Sequence, residues 1–312
     1  MTPADAPRIP PRLSVVLGTY NRRDSLERCI ESIFQQTKTP TVVYVTDAGS
    51  TDGTVEYLRS VASDRLVPIL VGERLGQARA YNDVFERVTT PYVAWLSDDN
   101  EIVNHGLDAG VDALDRRRKV GMVAIKVKDV EGPFVDAPYV GGISTIGVLN
   151  VNQGLLRTGI IQALGGFSER FRDYGIDPDL TARVLFSGWQ IAYTRVVGIH
   201  HYRDWSDGPK PGPAQLQRQR AYADLYARKW GGYAPPDAAW AARKRAWSLL
   251  QKAIGVRINT ARRRLGLDGR DWGNLITARY VSLLDPLLTR GQPFHLVQRP
   301  PARRLPLPPD PD

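Results

Sequence analysis

The chain predicts an α/β fold built on a mostly parallel sheet flanked by helices. Three observations carry that expectation. Short apolar runs rich in β-branched residues alternate with segments whose apolar residues recur at helical spacing across the first 130 residues. Connections of that kind make right-handed crossovers, which leave neighbouring strands parallel. Polar loop motifs follow three of the runs, at the strand ends where ligands of open sheets bind.

Leu13-Ser14-Val15-Val16-Leu17 reads as the first strand, ending at Gly18. Asp24 with Glu27 three residues later has the capping-box pattern. Leu26, Cys29, Ile30, Ile33 and Phe34 then form a helical stripe, on which Cys29 is a packing residue. Strands follow at 41–45, 66–71, 92–96 and 120–128, with helices at 54–61, 76–88 and 106–116 between them. After Pro133 the pattern loosens, and Gly141-Gly142 and Gly147 read as loop. Residues 155–164 read as a helix leading to Gly165-Gly166-Phe167. A further helix runs from Asp177-Pro178 to Gly188, with Asp177 as its cap, and a strand over 191–199 leads into His200-His201. Residues 208–213 read as a linker to a helical tail, and 300–312 as a Pro-rich disordered end.

Apolar content of 42% and charged content of 24% are ordinary for a globular protein. The single cysteine excludes an internal disulfide and a zinc cluster, and it fits a reducing cytoplasm. The first seven residues lack the apolar core of a signal peptide, and no run approaches the roughly 18 apolar residues of a membrane span. The net charge of +9 is concentrated: residues 241–264 hold eight Lys and Arg and no Asp or Glu. Trp240, Trp247, Leu250, Ile254, Ile258, Ala261 and Leu265 draw one apolar stripe through that segment. It reads either as a helix packed on the domain or as one lying on an anionic membrane surface. No nucleic-acid-reading motif accompanies the charge.

Ser97-Asp98-Asp99-Asn100 is the most informative stretch. Two adjacent carboxylates at the end of a buried strand repel each other and lose hydration, a cost that a hard divalent cation offsets. Asp and Asn also favour solvated turns and caps, so the motif takes its weight from its company. Gly18-Thr19-Tyr20-Asn21-Arg22 and Asp47-Ala48-Gly49-Ser50-Thr51-Asp52 fall on the same rim.

With these motifs in order, the chain resembles the family 2 glycosyltransferases, inverting enzymes of the GT-A fold, over roughly residues 13–201. Residues 14–22 resemble the opening strand and nucleotide loop, 46–54 the second nucleotide motif, and 76–82 the helix after the third strand. Asp98-Asp99 stands where the family carries its metal-binding DXD-type motif. Residues 165–171 and 174–180 resemble the acceptor-side motif with its catalytic carboxylate. The resemblance implies a Rossmann-like catalytic domain over 12–205, divided into a nucleotide-sugar half (12–130) and an acceptor half (131–205). A disordered N-terminus (1–11), a basic helical extension (206–299) and the Pro-rich tail (300–312) flank it.

It implies a nucleotide pocket of Thr19, Asn21, Arg22, Asp47, Asn82 and Asp98. Asp99 is the expected principal ligand of Mg²⁺ or Mn²⁺. Paired histidines are more often packing or surface residues, but the family places a metal-binding His at the His200-His201 pair. Strand alternation turns one of them inward, with His200 preferred. Asp177 is the expected general base, with Asp179 as the alternative. Glu169, Asp179 and Arg183 lie on the acceptor side, and Arg183 either faces the diphosphate or pairs with an acid. Three departures stand out. Gly18 replaces a frequent proline, Ala48 a frequent second acid, and Ile176 the Glu that usually precedes the base. The implied donor is a UDP- or dTDP-sugar, and the acceptor a glycan, a lipid-linked glycan or a small molecule. The implied location is the cytoplasm, or the inner face of a membrane. A non-catalytic binding module of the same fold is the alternative, kept open by Ile176. A sugar-phosphate nucleotidyltransferase ranks lower, because the loop after the first strand is not Gly-rich and basic.

Overall fold

The computed structural model describes residues 9–131, 135, 138–142, 144–203, 213–233, 257–267, 294–302 and 304–311, and singly 238, 241, 242, 245 and 249. The first half follows the alternation: β1 (Leu13–Thr19), α1 (Arg23–Gln36), β2 (Thr41–Asp47), α2 (Thr54–Val61), β3 (Leu66–Leu70), α3 (Gln77–Phe85) and β4 (Tyr92–Ser97). Then come β5 (Asn100–Ile102), α4 (Gly106–Arg116), β6 (Val120–Asp129), β7 (Gly154–Arg157), α5 (Thr158–Ala163), α6 (Ile176–Phe186) and β8 (Gln190–His201). Two described helices, α7 (Pro213–Trp230) and α8 (Arg257–Arg264), and a last strand, β9 (Phe294–Gln298), follow.

The described strands form one sheet in the order β3-β2-β1-β4-β7-β6-β8-β5, with β9 on β8. β3, β2, β1 and β4 are parallel neighbours, as are β6 and β8. β7, β5 and β9 run against them. Val15, Leu17, Val43, Val45, Ala94 and Leu96 pack one face of the sheet against the apolar stripe of α1, including Cys29. Val16, Val93 and Trp95 pack the other face against α3, α6 and α7. Burial pushes the Cys29 thiol well up, as expected of a core residue.

Four expectations change. Residues 155–164 begin as a strand rather than a helix: Leu155 and Leu156 are fully buried in β7, which bridges β4 and β6. Sheet closure there overrides a periodicity of only a few residues. Asp24 makes no capping bond for α1; instead Asp52, from the next loop, accepts the Arg23 N–H at 3.0 Å. Asp177 is not the cap of α6, whose N-cap is Gly175 at φ +85°. The Pro-rich end is ordered over residues 304–311. Leu307 packs on the core and Asp310 bonds Ser168 and Lys229. The basic stripe lies for the most part outside the described residues, as does the 208–212 segment. Where it is described, Leu265 is 72% exposed and Ile258 only partly covered. No helix among the described residues is long and apolar enough to cross a membrane.

Candidate active site

The site is built at the carboxyl ends of β1, β2 and β4, where parallel register sets Gly18 beside Thr46 and Ser97. Two loops there are stitched together. Asn21, at φ +51°, donates its N–H to the Ser50 hydroxyl at 2.9 Å and accepts the Thr51 N–H at 2.7 Å. Asp47 is buried and accepts the N–H groups of Gly49 and Ser50 at 2.9 and 3.0 Å, and the Ser50 hydroxyl. Gly49 is required at that turn: its φ is +87°, and a Cβ would stand 2.6 Å from the Gly72 carbonyl oxygen. Asn21 and Asp47 therefore shape the loops with their side chains. Asn82 acts elsewhere. It accepts the Phe167 N–H at 2.7 Å and donates to the Phe167 carbonyl at 2.9 Å. That clamps the Gly166-Phe167 turn.

Asp98 and Asp99 follow β4 directly, both buried. Thr19 donates its hydroxyl to Asp98 at 2.8 Å, and the Arg22 guanidinium bridges the pair at 3.2 and 3.1 Å. Burial lifts the Asp98 carboxyl to about 6, with Arg22 and Thr19 acting against it. Burial would also lift Asp99, but His201 and Arg22 outweigh it and hold that carboxyl below the usual range. His201 Nε2 lies 3.3 Å from Asp99 Oδ1. That oxygen is buried and has no hydrogen-bond partner.

The preference for His200 reverses. β8 turns His201 inward, while His200 faces Glu101 at 3.3 Å. On its far side His201 Nδ1 meets Asp129 Oδ1 at 3.1 Å. Burial would lower the His201 pKa, but the carboxylates of Asp129 and Asp99 raise it to about 9. Among the described residues no cluster of three or more His, Cys, Asp or Glu could hold a metal unaided. Asp99 Oδ1 and His201 Nε2 stand 3.3 Å apart, a donor pair that a hard cation completed by substrate phosphates and water would fit.

Asp177 lies in the first turn of α6, and the indole N–H of Trp95 donates to it at 3.0 Å. Burial raises the Asp177 carboxyl to about 7, with the Trp95 bond opposing the rise. Asp179 is fully buried and faces away from this chemistry. It receives Arg183 at 2.8 Å, the Trp230 indole N–H at 2.9 Å and Lys229 at 2.8 Å. Arg183 also donates to the carbonyls of Leu164 and Gly166. Both side chains take part in a buried lock on α6. Glu169 is exposed beside that turn, 3.4 Å from Asn82.

Sequence reasoning passed over Trp95, Asp129 and Tyr139. Trp95 read only as part of an apolar run, although an indole on a strand ending in carboxylates needs a hydrogen-bond partner. Asp129 ends a strand as Asp98 follows one, which was a signal. Tyr139 came from a segment with no periodicity. The exposed Tyr20, with the Arg74 guanidinium 3.7 Å over its ring, is another such rim pair.

Residues 14–152 match the family model described as Glycosyl transferase family 2. The N-acetylglucosaminyl-diphospho-decaprenol L-rhamnosyltransferase of Mycobacterium tuberculosis is 25% identical over 275 residues, spanning 74% of this chain and 89% of that protein. Glycosyltransferase AglE of Haloferax volcanii is 25% identical over 212 residues, spanning 63% and 69%. Among solved structures, the mannosyltransferase PcManGT from Pyrobaculum calidifontis, in complex with GDP-Man and Mn²⁺, aligns over 89% of each chain at 19% identity with a TM-score of 0.52. TarS 1-349 of S. aureus, in complex with UDP, aligns over 70% of this chain and 72% of that one, at 18% identity and a TM-score of 0.51. At these identities the structural likeness speaks to the fold.

Proposed function

The chain is a family 2 glycosyltransferase, and from that premise we propose that it performs an inverting transfer from a UDP- or dTDP-sugar to a hydroxyl of a lipid-linked glycan. The observation that carries this reading is the bond from Trp95 to Asp177. A single strand, β4, thereby anchors the base and leads into the Asp98-Asp99 pair.

Asp177 accepts the proton of the acceptor hydroxyl as its oxygen attacks the anomeric carbon. The bond to the diphosphate breaks on the opposite face, which inverts the configuration. A carboxylate lifted to about 7 is a stronger base than an ordinary one and is about half ionised at neutral pH. Thr19 and Arg22 orient Asp98 at the donor side, and Arg22 is half-exposed and able to turn toward the departing phosphates. Mg²⁺ or Mn²⁺, when bound, neutralises the leaving diphosphate. Asp99 and His201 are the residues that would hold it.

The lipid-linked acceptor draws on the decaprenol in the name of the Mycobacterium tuberculosis relative. The basic segment 240–265 supports apposition to an anionic membrane, because Leu265 and Leu267 stand 72% and 50% exposed beside the arginines of α8. Calorimetric titration of UDP, dTDP and GDP, each with and without Mn²⁺, tests the donor side. One nucleotide should bind with an affinity that collapses without the metal. No binding of any of the three would favour the non-catalytic module. Cosedimentation with anionic and neutral vesicles tests the membrane reading, which fails if the full chain ignores both.

A further inference from the structure

Asp129 is fully buried, and one of its two oxygens has no hydrogen-bond partner. Burying an ionised carboxylate in that state costs stability, and a fold gains little from it. Its surroundings give it a purpose. Asp129 is the last residue of β6 and His201 the last of β8, and the parallel register sets them side by side. On the other flank β5 pairs Asn100 with His201, which brings Asp99 alongside. Three strand ends thus fix the order Asp129, His201, Asp99 through backbone pairing. Asp129 Oδ1 takes the Tyr139 hydroxyl at 2.8 Å and meets His201 Nδ1 at 3.1 Å. Tyr139 is itself held by reciprocal backbone bonds to Val127, two residues before Asp129.

We propose that Asp129 is a positioning residue that keeps a proton of His201 on Nδ1, so that Nε2 is the nitrogen offered to the cation site beside Asp99, with Tyr139 holding Asp129 in place. This rests on the metal reading of the proposed function. A carboxylate accepts only, so the nitrogen facing it must be a donor. With Nδ1–H held by Asp129, Nε2 is the ring nitrogen left to face a cation, 3.3 Å from Asp99 Oδ1. A carboxylate behind a metal-binding histidine also raises its basicity, and its loss commonly weakens metal binding about 10- to 100-fold.

The test uses the full chain with ¹⁵N-labelled histidine. Four histidines are present, and H201A assigns the signal. The imidazole ¹⁵N shifts should show Nδ1 protonated in the wild type, both metal-free and with Mg²⁺ and UDP. D129N is nearly isosteric but can turn its amide N–H toward Nδ1. It should move the proton to Nε2 and weaken Mn²⁺ binding, followed by the free-ion EPR signal, at least tenfold. Y139F should keep the tautomer and weaken Mn²⁺ a few-fold. D129E, which restores the acceptor, should recover part of the affinity. A wild type with unprotonated Nδ1, or a D129N variant with unchanged tautomer and Mn²⁺ affinity within twofold, overturns the proposal. A wild type that binds no Mn²⁺ overturns the metal reading instead, and the tautomer signal still judges Asp129. Unchanged thermal transitions in D129N separate positioning from unfolding.

Discussion

On the donor side, the loops that carry Asn21 and Ser50 are joined by bonds between residues 29 positions apart. On the acceptor side, Ser168 is tied to Asp310, 142 positions away, and Asp310 in turn to Lys229. The first rim is stitched by its own loops and keeps a half-exposed arginine over its carboxylates. The second is fixed from behind: Asp179, Arg183, Lys229 and Trp230 form a buried lock on the helix that presents Asp177. The contrast separates two demands. Under the proposed reading the first rim would admit a diphosphate, while remote ties hold the helix that carries Asp177 in the second.

Breaking one side without the other is the sharpest check. Asp177→Asn should lower kcat by about 10²–10⁴-fold, the usual contribution of a general base, and leave UDP affinity in a titration unchanged. Retained turnover would remove Asp177 as the base. Asp99→Ala should do the converse and abolish the metal-dependent part of nucleotide affinity; equal UDP binding with and without Mn²⁺ in the wild type would defeat that assignment. Lys229→Ala leaves Asp179 short of a buried cation and should cost about 3–5 kcal/mol in urea unfolding. A loss under about 1 kcal/mol would mean that Arg183 and Trp230 suffice.

The pH dependence sharpens the comparison further. With Asp177 at about 7, kcat/KM should fall about tenfold per unit below that point and level off above it. Trp95→Phe removes the one bond that opposes the rise, so the break should move up. The stability sign follows. Asp177 has a folded pKa above its unfolded value of 3.8, so its protonated form favours folding. That contribution is complete below about 4 and is lost as pH rises through about 7. Asp177→Asn should therefore stabilise the protein at about pH 8 relative to wild type, and hardly at all at about pH 4. The smallest effect belongs to His200→Ala, which should leave turnover within about twofold, whereas His201→Ala should not.

What the sequence revealed divides along the same line. Strands β1 to β4, their crossovers and the acid pair were legible because each announces itself within a few residues: β-branched runs, Gly-bounded turns and paired carboxylates. The acceptor half was legible only where the family motif ran through it. Asp179, Arg183 and Asn82 carry the residue types of a site, and the structure shows the partners that occupy them. Among those partners, Trp230 lies 51 positions beyond Asp179 and Phe167 lies 85 beyond Asn82. β7 was hidden for the same reason, since four residues take their conformation from the two strands they join. The choice between His200 and His201 needed the register of β8 against β5 and β6, which alternation alone leaves open.

The tie between Leu149 and Gln298 spans 149 positions, and β9 is needed to complete the sheet beside β8. A ribosome therefore delivers the two rims at different times. Residues 13–129 can close their parallel core as they emerge, since the partners of β1 to β4 within it are near in sequence. The wall behind Asp177 waits for β9 and the segment that follows it. At about 5–20 residues per second, the stretch between β8 and β9 alone takes on the order of ten seconds to synthesise. During that interval the rim at β1, β2 and β4 has all its parallel partners while the wall behind Asp177 still lacks β9.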